Sequence, residues 1–357
     1  MQYLLEDSIS LLKRLISTPS FSKEENHTGD LIERFLTDHH VSTNRKLNNI
    51  WAFNKYYDKN KPTILLNSHH DTVKPNSAYT RDPYHATVID GKLYGLGSND
   101  AGGPLIALIT TFLHFYDQEN LQYNLCLAAT GEEEISGKNG IEFILPDLGL
   151  LDFAIVGEPT LMQLAIAEKG LMVLDCTVYG QSGHAAREEG DNAIYKALQA
   201  IDWFRSYQFP KESSLFGPVK MSVTMIRAGS QHNVVPASCD FVVDVRTTDA
   251  YRNEEVLQII REHVSADIKP RSTRLNPSSI PLNHPIVAAG IALGRKTYGS
   301  PTMSDQALLN IPSLKLGPGD SARSHSADEF IYISEIEEGI NLYISMLDRL
   351  LRGSGKR

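Results

Sequence analysis

Thr63-Ile64-Leu65-Leu66-Asn67, running directly into Ser68-His69-His70-Asp71, is the stretch that decides the fold. A short run rich in apolar and β-branched residues, followed by polar residues, is the pattern of a strand. The same sequence grammar recurs at 124–129, followed by Thr130-Gly131-Glu132-Glu133-Glu134, and at 153–156, followed by Gly157-Glu158-Pro159. Helical stretches at 104–116 and around 139–145 lie between the later runs. Strands alternating with helices predict parallel pairing through right-handed crossovers, hence an α/β fold built on an open, mostly parallel sheet. Upstream, 3–16 (Leu4, Leu5, Ile9, Leu12, Leu15) and 22–38 (Leu31, Ile32, Phe35, Leu36) carry apolar residues at helical spacing. Thr18-Pro19-Ser20 separates the two, and Ser22 and Glu25 have the spacing of a capping box for the second.

The character changes near 170. Segments 171–179, 220–227 and 239–245 read as strands, and 191–205 and 253–264 as helices. With a last strand near 266–274 the order is βαββαβ, the split βαβ pattern of a small α+β domain. The stretch 271–285, with Pro277, Pro281 and Pro285, reads as a return linker. Beyond it come a helix near 286–297, a strand at 313–316 and a capped final helix from Ser334. The expected domains are therefore 1–168 with 277–357, interrupted by an insertion at 169–276. Residues 353–357 read as a frayed tail.

Composition narrows the function. Lys+Arg 34 against Asp+Glu 43 gives a net charge of −9, and without a basic run this argues against a nucleic-acid partner. No apolar run approaches the ~18–20 residues of a membrane span. The first fifteen residues mix acids and bases into an amphipathic helix and do not form a signal peptide. Cys126, Cys176 and Cys239 make no zinc or disulfide spacing, which fits a reducing cytoplasm.

Open parallel sheets bind ligands beyond the carboxyl ends of their strands. The polar residues after each strand would therefore meet along one edge: His69 and Asp71, Glu133 and Glu134, and Glu158. The glycine-rich turn Tyr94-Gly95-Leu96-Gly97-Ser98-Asn99-Asp100 adds Asp100, and a Gly-Pro-Gly loop from Gly317 reaches His325. Such a cluster repels itself unless positive charge sits within it. Two divalent ions, each with an imidazole and a carboxylate and sharing a bridging carboxylate, would resolve the repulsion. His69-x-Asp71 fits a ligand with an outer carboxylate that orients its ring. Glu133-Glu134 fits one ligand beside one general base. Mixed imidazole and carboxylate donors favour Zn2+, Co2+ or Mn2+ over Ca2+. Taken singly, each motif has an ordinary reading: a surface loop, a solvated helix start or a plain turn. Gly95-Leu96-Gly97 lacks the third glycine of a dinucleotide fingerprint, which leaves a nicotinamide oxidoreductase weakly supported. Only the joint arrival at strand ends points to metal chemistry.

These residues resemble the dinuclear-metal amidohydrolases of the M20 peptidase group, of the acetylornithine deacetylase and succinyl-diaminopimelate desuccinylase type. The matching stretches are Ser68 to Val73, Asp90 to Asp100, Thr130 to Glu134, Val156 to Thr160, Gly183-His184-Ala185-Ala186 and Gly317 to His325, in family order. The resemblance implies His69 and Glu158 on one metal, Glu134 and His325 on the other, Asp100 bridging, Glu133 as base and Asp71 as outer partner. It also implies that 169–276 is a dimerisation or lid domain in a homodimer. His184 would then reach the neighbouring subunit's substrate, and Asn233 and Arg246 would contact substrate. Gly102 stands where relatives usually carry Lys, Leu96 where they carry Arg, and Glu132 where they carry Asp. Glu168-Lys169-Gly170-Leu171 lacks the Arg-Arg-Gly-Ser of diaminopimelate desuccinylases. The expected activity is hydrolysis of a small-molecule N-acyl amino acid, N-acetyl- or N-succinyl-ornithine, in arginine biosynthesis, with Zn2+ the first choice of metal. The alternatives are succinyl-diaminopimelate desuccinylase, a metallo-carboxypeptidase or dipeptidase, and a non-catalytic metal-binding module.

Overall fold

The helix Gly103–Phe115 is apolar at most positions, and Leu105, Ile106, Leu108, Ile109 and Phe112 are all buried. A helix of that kind belongs inside a core, and burial of each such side chain contributes roughly 1.5–3 kcal/mol. In this computed structural model, which describes residues 2–187 and 189–352, it packs against the N-terminal helix Gln2–Ile16 and the last helix Ile333–Leu351. The tail expected at 353–357 lies outside the described residues. Ser8 Oγ and Thr110 Oγ1, 2.6 Å apart, satisfy each other inside that contact.

The chain divides into two compact units. The first comprises Met1–Ile166, Ser279–Tyr298 and Ser304–Arg357, and the second Ala167–Ser278 with Gly299–Met303. In spatial order the central sheet runs Asn44–Lys46, Asn49–Phe53, Asn124–Thr130, Thr63–His69, Leu151–Val156, Ser313–Lys315, Leu164–Glu168, Ser278–Ser279, with Thr297–Ser300 also pairing Leu164–Glu168. Thr63–His69 pairs in parallel with both of its neighbours, and Ser313–Lys315 pairs in parallel with Leu151–Val156. Every residue of Thr63–His69 and Asn124–Thr130 is buried, as a strand covered on both faces must be. His69 lies opposite Thr130 at the carboxyl end of this parallel centre, so the loops after adjacent strands leave side by side. The flanking strands Asn49–Phe53 and Leu164–Glu168 join antiparallel and make the sheet mixed. A small antiparallel sheet of Phe330–Tyr332, Lys92–Tyr94 and Thr87–Ile89 accompanies it.

The second unit is a four-stranded antiparallel sheet ordered Lys220–Ala228, Ser238–Thr247, Gly170–Tyr179, Asp267–Pro270, with helices Ala193–Ser206 and Asn253–His263. Gly170–Tyr179 buries alternate residues, Met172, Leu174, Cys176 and Val178, against Phe204, Phe241, Val256 and Ile260. That alternation is what a sheet with one covered face requires.

One expected feature is absent. The second helix begins at Asn26, and its N-cap residue Glu25 makes no side-chain cap. Ser22 Oγ instead donates to Asp71 Oδ2 (2.7 Å), and Glu25 Oε1 accepts from the Glu132 amide (2.9 Å). Both members of the expected capping box are turned toward the loops beyond the strands. The last helix also starts earlier than expected, with Tyr332 as N-cap and its amide on Glu335 Oε2 (3.1 Å). Residues 139–145 form a single helical turn, Ile141–Ile144.

Candidate metal centre and active site

His69 closes its strand with its ring fixed. Nδ1 lies 3.0 Å from the Asp71 main-chain oxygen. A carbonyl can only accept, so Nδ1 carries a proton, and in the neutral ring Nε2 is left bare. That Nε2 is buried without a hydrogen-bond partner, and it faces Asp100 Oδ1 at 3.4 Å, Glu158 Oε1 at 3.7 Å and Glu133 Oε2 at 4.0 Å. Burial opposes a charge on this ring, but the surrounding carboxylates, Glu133 foremost, push its pKa well above the usual imidazole value. A bare, buried nitrogen among carboxylates meets the donor requirements of a divalent transition ion.

The donor atoms converge in two trios, His69 with Asp100 and Glu134, and His69 with Glu133 and Glu158, each within 4.8 Å. His325, more exposed, joins through its Nε2, 3.0 Å from Glu134 Oε2 and 3.6 Å from Asp100 Oδ2. The Glu134 carboxylate holds the His325 ring up at about 9. Asp100 therefore turns one oxygen toward each histidine.

The carboxylates outside the trios hold neighbouring loops and strand ends. Asp71, fully buried, accepts from the amides of Glu133 and Glu134 at 3.1 Å each. Its carboxylate is 3.4 Å from His69 Nδ1, so the ring is oriented by the main-chain oxygen of Asp71 more closely than by its side chain. Glu132, with φ 57°, turns its side chain away from the cluster to the Asn139 side-chain amide (2.9 Å). Glu133 is thereby the glutamate beside His69, and burial first, then Glu158, Asp305 and Glu134, pushes its carboxyl well above the usual range against the pull of His69. His70 is structural, between Thr28 Oγ1 (2.9 Å) and the Asn48 oxygen (2.8 Å), and burial lowers it to about 4.

Two buried acids escaped the sequence reading. Glu329 accepts from the amides of Gly97 (3.1 Å), Asn99 (2.8 Å) and Asp100 (2.9 Å), clamping the turn that carries Asp100. Asp305 accepts from Asn67 Nδ2 (2.7 Å) and Thr130 Oγ1 (2.9 Å) beneath the strand ends, and burial raises it to about 6. Neither follows a strand of the parallel centre, so the strand-end rule does not reach them.

Gly102 has a local explanation. A Cβ there would meet the Gly97 oxygen at 2.4 Å and Leu12 Cδ1 at 2.5 Å. Gly102→Ala is expected to reduce stability by about 1–3 kcal/mol through overpacking. The urea midpoint measures it, and an unmoved midpoint would mean the turn gives way freely.

His184, Asn233 and Arg246 belong to the second unit. There Gly183–His184 pairs with Val234–Val235, and the Ala185 amide donates to the Asn233 oxygen (3.0 Å), so exposed His184 and Asn233 are neighbours. The Ala186 amide donates to His184 Nδ1 (3.1 Å), which leaves Nε2 as the proton-bearing nitrogen of the neutral ring. Arg246 donates through Nε and Nη2 to Asp244 (2.8 and 3.1 Å).

A family model described as Peptidase family M20/M25/M40 matches residues 65–349. The chain belongs to the M20 peptidase family. Among similar proteins, acetylornithine deacetylase of Proteus mirabilis is 31% identical over 297 residues, spanning 77% of this chain and 76% of its own. Succinyl-diaminopimelate desuccinylase 2 of a Ruegeria species is 26% identical over 280 residues, spanning 73% and 70%. A solved structure of aminopeptidase PepT from Bacillus cereus superposes with TM-score 0.76 at 16% identity, covering 97% of this chain and 98% of that one. An M20 family metallo-carboxypeptidase from Sulfolobus solfataricus does so with TM-score 0.70 at 18% identity, covering 95% and 98%. M20 enzymes are dinuclear metal-dependent hydrolases, and this member is an enzyme of that kind.

Proposed function

We propose that this M20 enzyme hydrolyses the amide of an N-acyl amino acid, N-acetyl- or N-succinyl-ornithine, to ornithine and a carboxylate, in arginine biosynthesis. The observation that carries the reading is the similarity to acetylornithine deacetylase over three quarters of the chain. Glu168-Lys169-Gly170-Leu171 supports it over the desuccinylase alternative.

His69, Glu158 and Asp100 would hold one ion and Asp100, Glu134 and His325 the other, with Zn2+ preferred over Co2+ or Mn2+. When bound, the ions supply positive charge to polarise a carbonyl and to acidify water. Glu133 accepts the proton of the attacking water and delivers it to the departing amine nitrogen, a role suited to a carboxyl whose pKa is raised. Asp71 fixes Glu133 and Glu134 through their amides. His184, with its proton on Nε2, would donate to the oxyanion that forms on the substrate carbonyl, and Asn233 and Arg246 would contact the substrate.

The first unit is proposed as the catalytic domain and the second as the dimerisation or lid domain of a homodimer. Lys220–Ala228 ends the four-stranded sheet with an open edge and exposes Met225 and Ile226, while Tyr195 and Leu198 are exposed on the neighbouring helix. Open apolar edges are ready pairing surfaces. Cytoplasmic residence is part of the proposal, supported by three buried free cysteines. No helix among the described residues is long and apolar enough to cross a membrane.

The test is amine release by zinc- or cobalt-loaded protein from N-acetyl-ornithine, N-succinyl-ornithine, N-succinyl-diaminopimelate and dipeptides, with chelator controls. Chelator-sensitive turnover of an ornithine derivative is expected. Faster dipeptide cleavage would favour the second reading, a peptidase, the activity of the superposable aminopeptidase and metallo-carboxypeptidase.

A further inference from the structure

We infer that Glu25 and Ser22 are positioning residues: the turn formed by residues 20–25 ties the loop after Thr63–His69 to the loop after Asn124–Thr130 and so sets the place of Glu133 relative to His69. The inference rests on the proposed role of Glu133 as the base.

Glu25 is fully buried, and its side chain makes no cap for its own helix. A carboxylate is taken out of water without loss only when its oxygens are satisfied. Here Oε1 accepts from the amides of Lys23 (2.7 Å) and Glu132 (2.9 Å), and Oε2 accepts from Asn48 Nδ2 (2.6 Å). The amide it receives is the one immediately before Glu133, in a residue held at left-handed φ. The approach is close: a Cβ on Gly131 would meet the Glu25 carboxyl carbon and Oε1 at 3.0 Å each.

Ser22 acts on the loop after Thr63–His69. Its hydroxyl donates to Asp71 Oδ2, the oxygen that also receives the Glu134 amide. The Thr72 amide donates to the Ser20 oxygen (2.8 Å), and Phe21 bridges Thr72 in parallel. Behind them, His70 is held by Thr28 and by the oxygen of the same Asn48 whose side chain meets Glu25. One short turn thus holds both strand-end loops by side-chain hydrogen bonds, and neither contact touches a proposed metal donor atom. A displacement near 1 Å of a reacting group costs on the order of 10²-fold in rate.

The experiment measures kcat and KM for Glu25→Gln and Ser22→Ala, using whichever substrate of the panel above the wild type turns over fastest, with metal content and thermal melts recorded. In Glu25→Gln the amide nitrogen faces the Asn48 donor, so one of the three bonds is lost. We expect kcat to fall about 10–100-fold with KM little changed, two metals per chain and a folded protein at the assay temperature. Adding Asn48→Asp restores a donor facing an acceptor and should recover most of kcat. Ser22→Ala should lower kcat by a smaller factor, and it decides the matter if Glu25→Gln does not fold. Wild-type kcat in both folded variants overturns the inference. So does a loss wholly accounted for by missing metal, or one confined to KM. Glu133→Gln is run in parallel: if it stays active, the base assignment fails and this inference with it, whereas an inactive Glu133→Gln beside fully active Glu25→Gln and Ser22→Ala removes this inference alone.

Discussion

Glu133→Gln is expected to lower kcat by roughly 10²–10⁴-fold, the usual contribution of a positioned acid–base group, while the protein keeps its fold and both metals. The substitution preserves shape and the backbone amide that Asp71 Oδ1 receives at 3.1 Å. It removes only the capacity to take up and release a proton. The carboxyl is nearly buried beside Glu158, Asp305 and Glu134, and burial with these acids raises its pKa well above the usual carboxylate range, which favours proton uptake. A competing assignment exists, because Glu133 also converges with His69 and Glu158 on one trio of donor atoms. Metal content separates the two. A variant that is inactive with two metals per chain establishes the base, whereas one that has lost a metal makes Glu133 a ligand. Residual turnover within tenfold of wild type would remove it from the chemistry altogether.

The parts of this site that were legible in the sequence share one property. His69 ends a buried strand of the parallel centre and Glu133, Glu134 and Glu158 follow shortly after its neighbours, and strand direction alone brings them to one edge. Asp100 was legible through its glycine turn: Gly97, with φ 75°, adopts a backbone conformation that glycine takes without strain. The illegible residues depend on tertiary partners. Ser22 and Glu25 carry a correct local signal for a helix cap, yet their side chains meet Asp71 and Glu132, 49 and 107 residues away. Local spacing cannot register a competitor so distant in sequence. Glu329 and Asp305 are similar cases, since their donors at Gly97, Asn99, Asp100, Asn67 and Thr130 lie over 170 residues upstream. The antiparallel strand Asn49–Phe53 was missed for a different reason. It has no helix between it and its hairpin partner Asn44–Lys46, so the alternation of strand and helix that revealed the others is absent there.

Asp100→Ala should have the second large effect, and a diagnostic one. Its Oδ1 faces His69 Nε2 at 3.4 Å and its Oδ2 faces His325 Nε2 at 3.6 Å, so one side chain serves both halves of the proposed centre. Removing it takes a donor from each ion and leaves Glu133, Glu134 and Glu158 close together with less positive charge among them, which disfavours their joint ionisation. Metal content is therefore expected to fall below one per chain and activity to vanish. His325→Ala, by contrast, removes a donor at the exposed end only and should leave about one metal per chain, held by His69, Glu158 and Asp100. Thermal melts add an independent reading. An ion that binds the folded chain at 100 times its Kd stabilises it by about 2.7 kcal/mol, so added Zn2+ should raise the Tm of wild type, raise that of His325→Ala less, and leave Asp100→Ala unmoved. Equal metal loss in the two variants would refute the bridging role, because a terminal ligand and a shared one would then be indistinguishable. Full metal in Asp100→Ala would place the ions on other donors of the cluster.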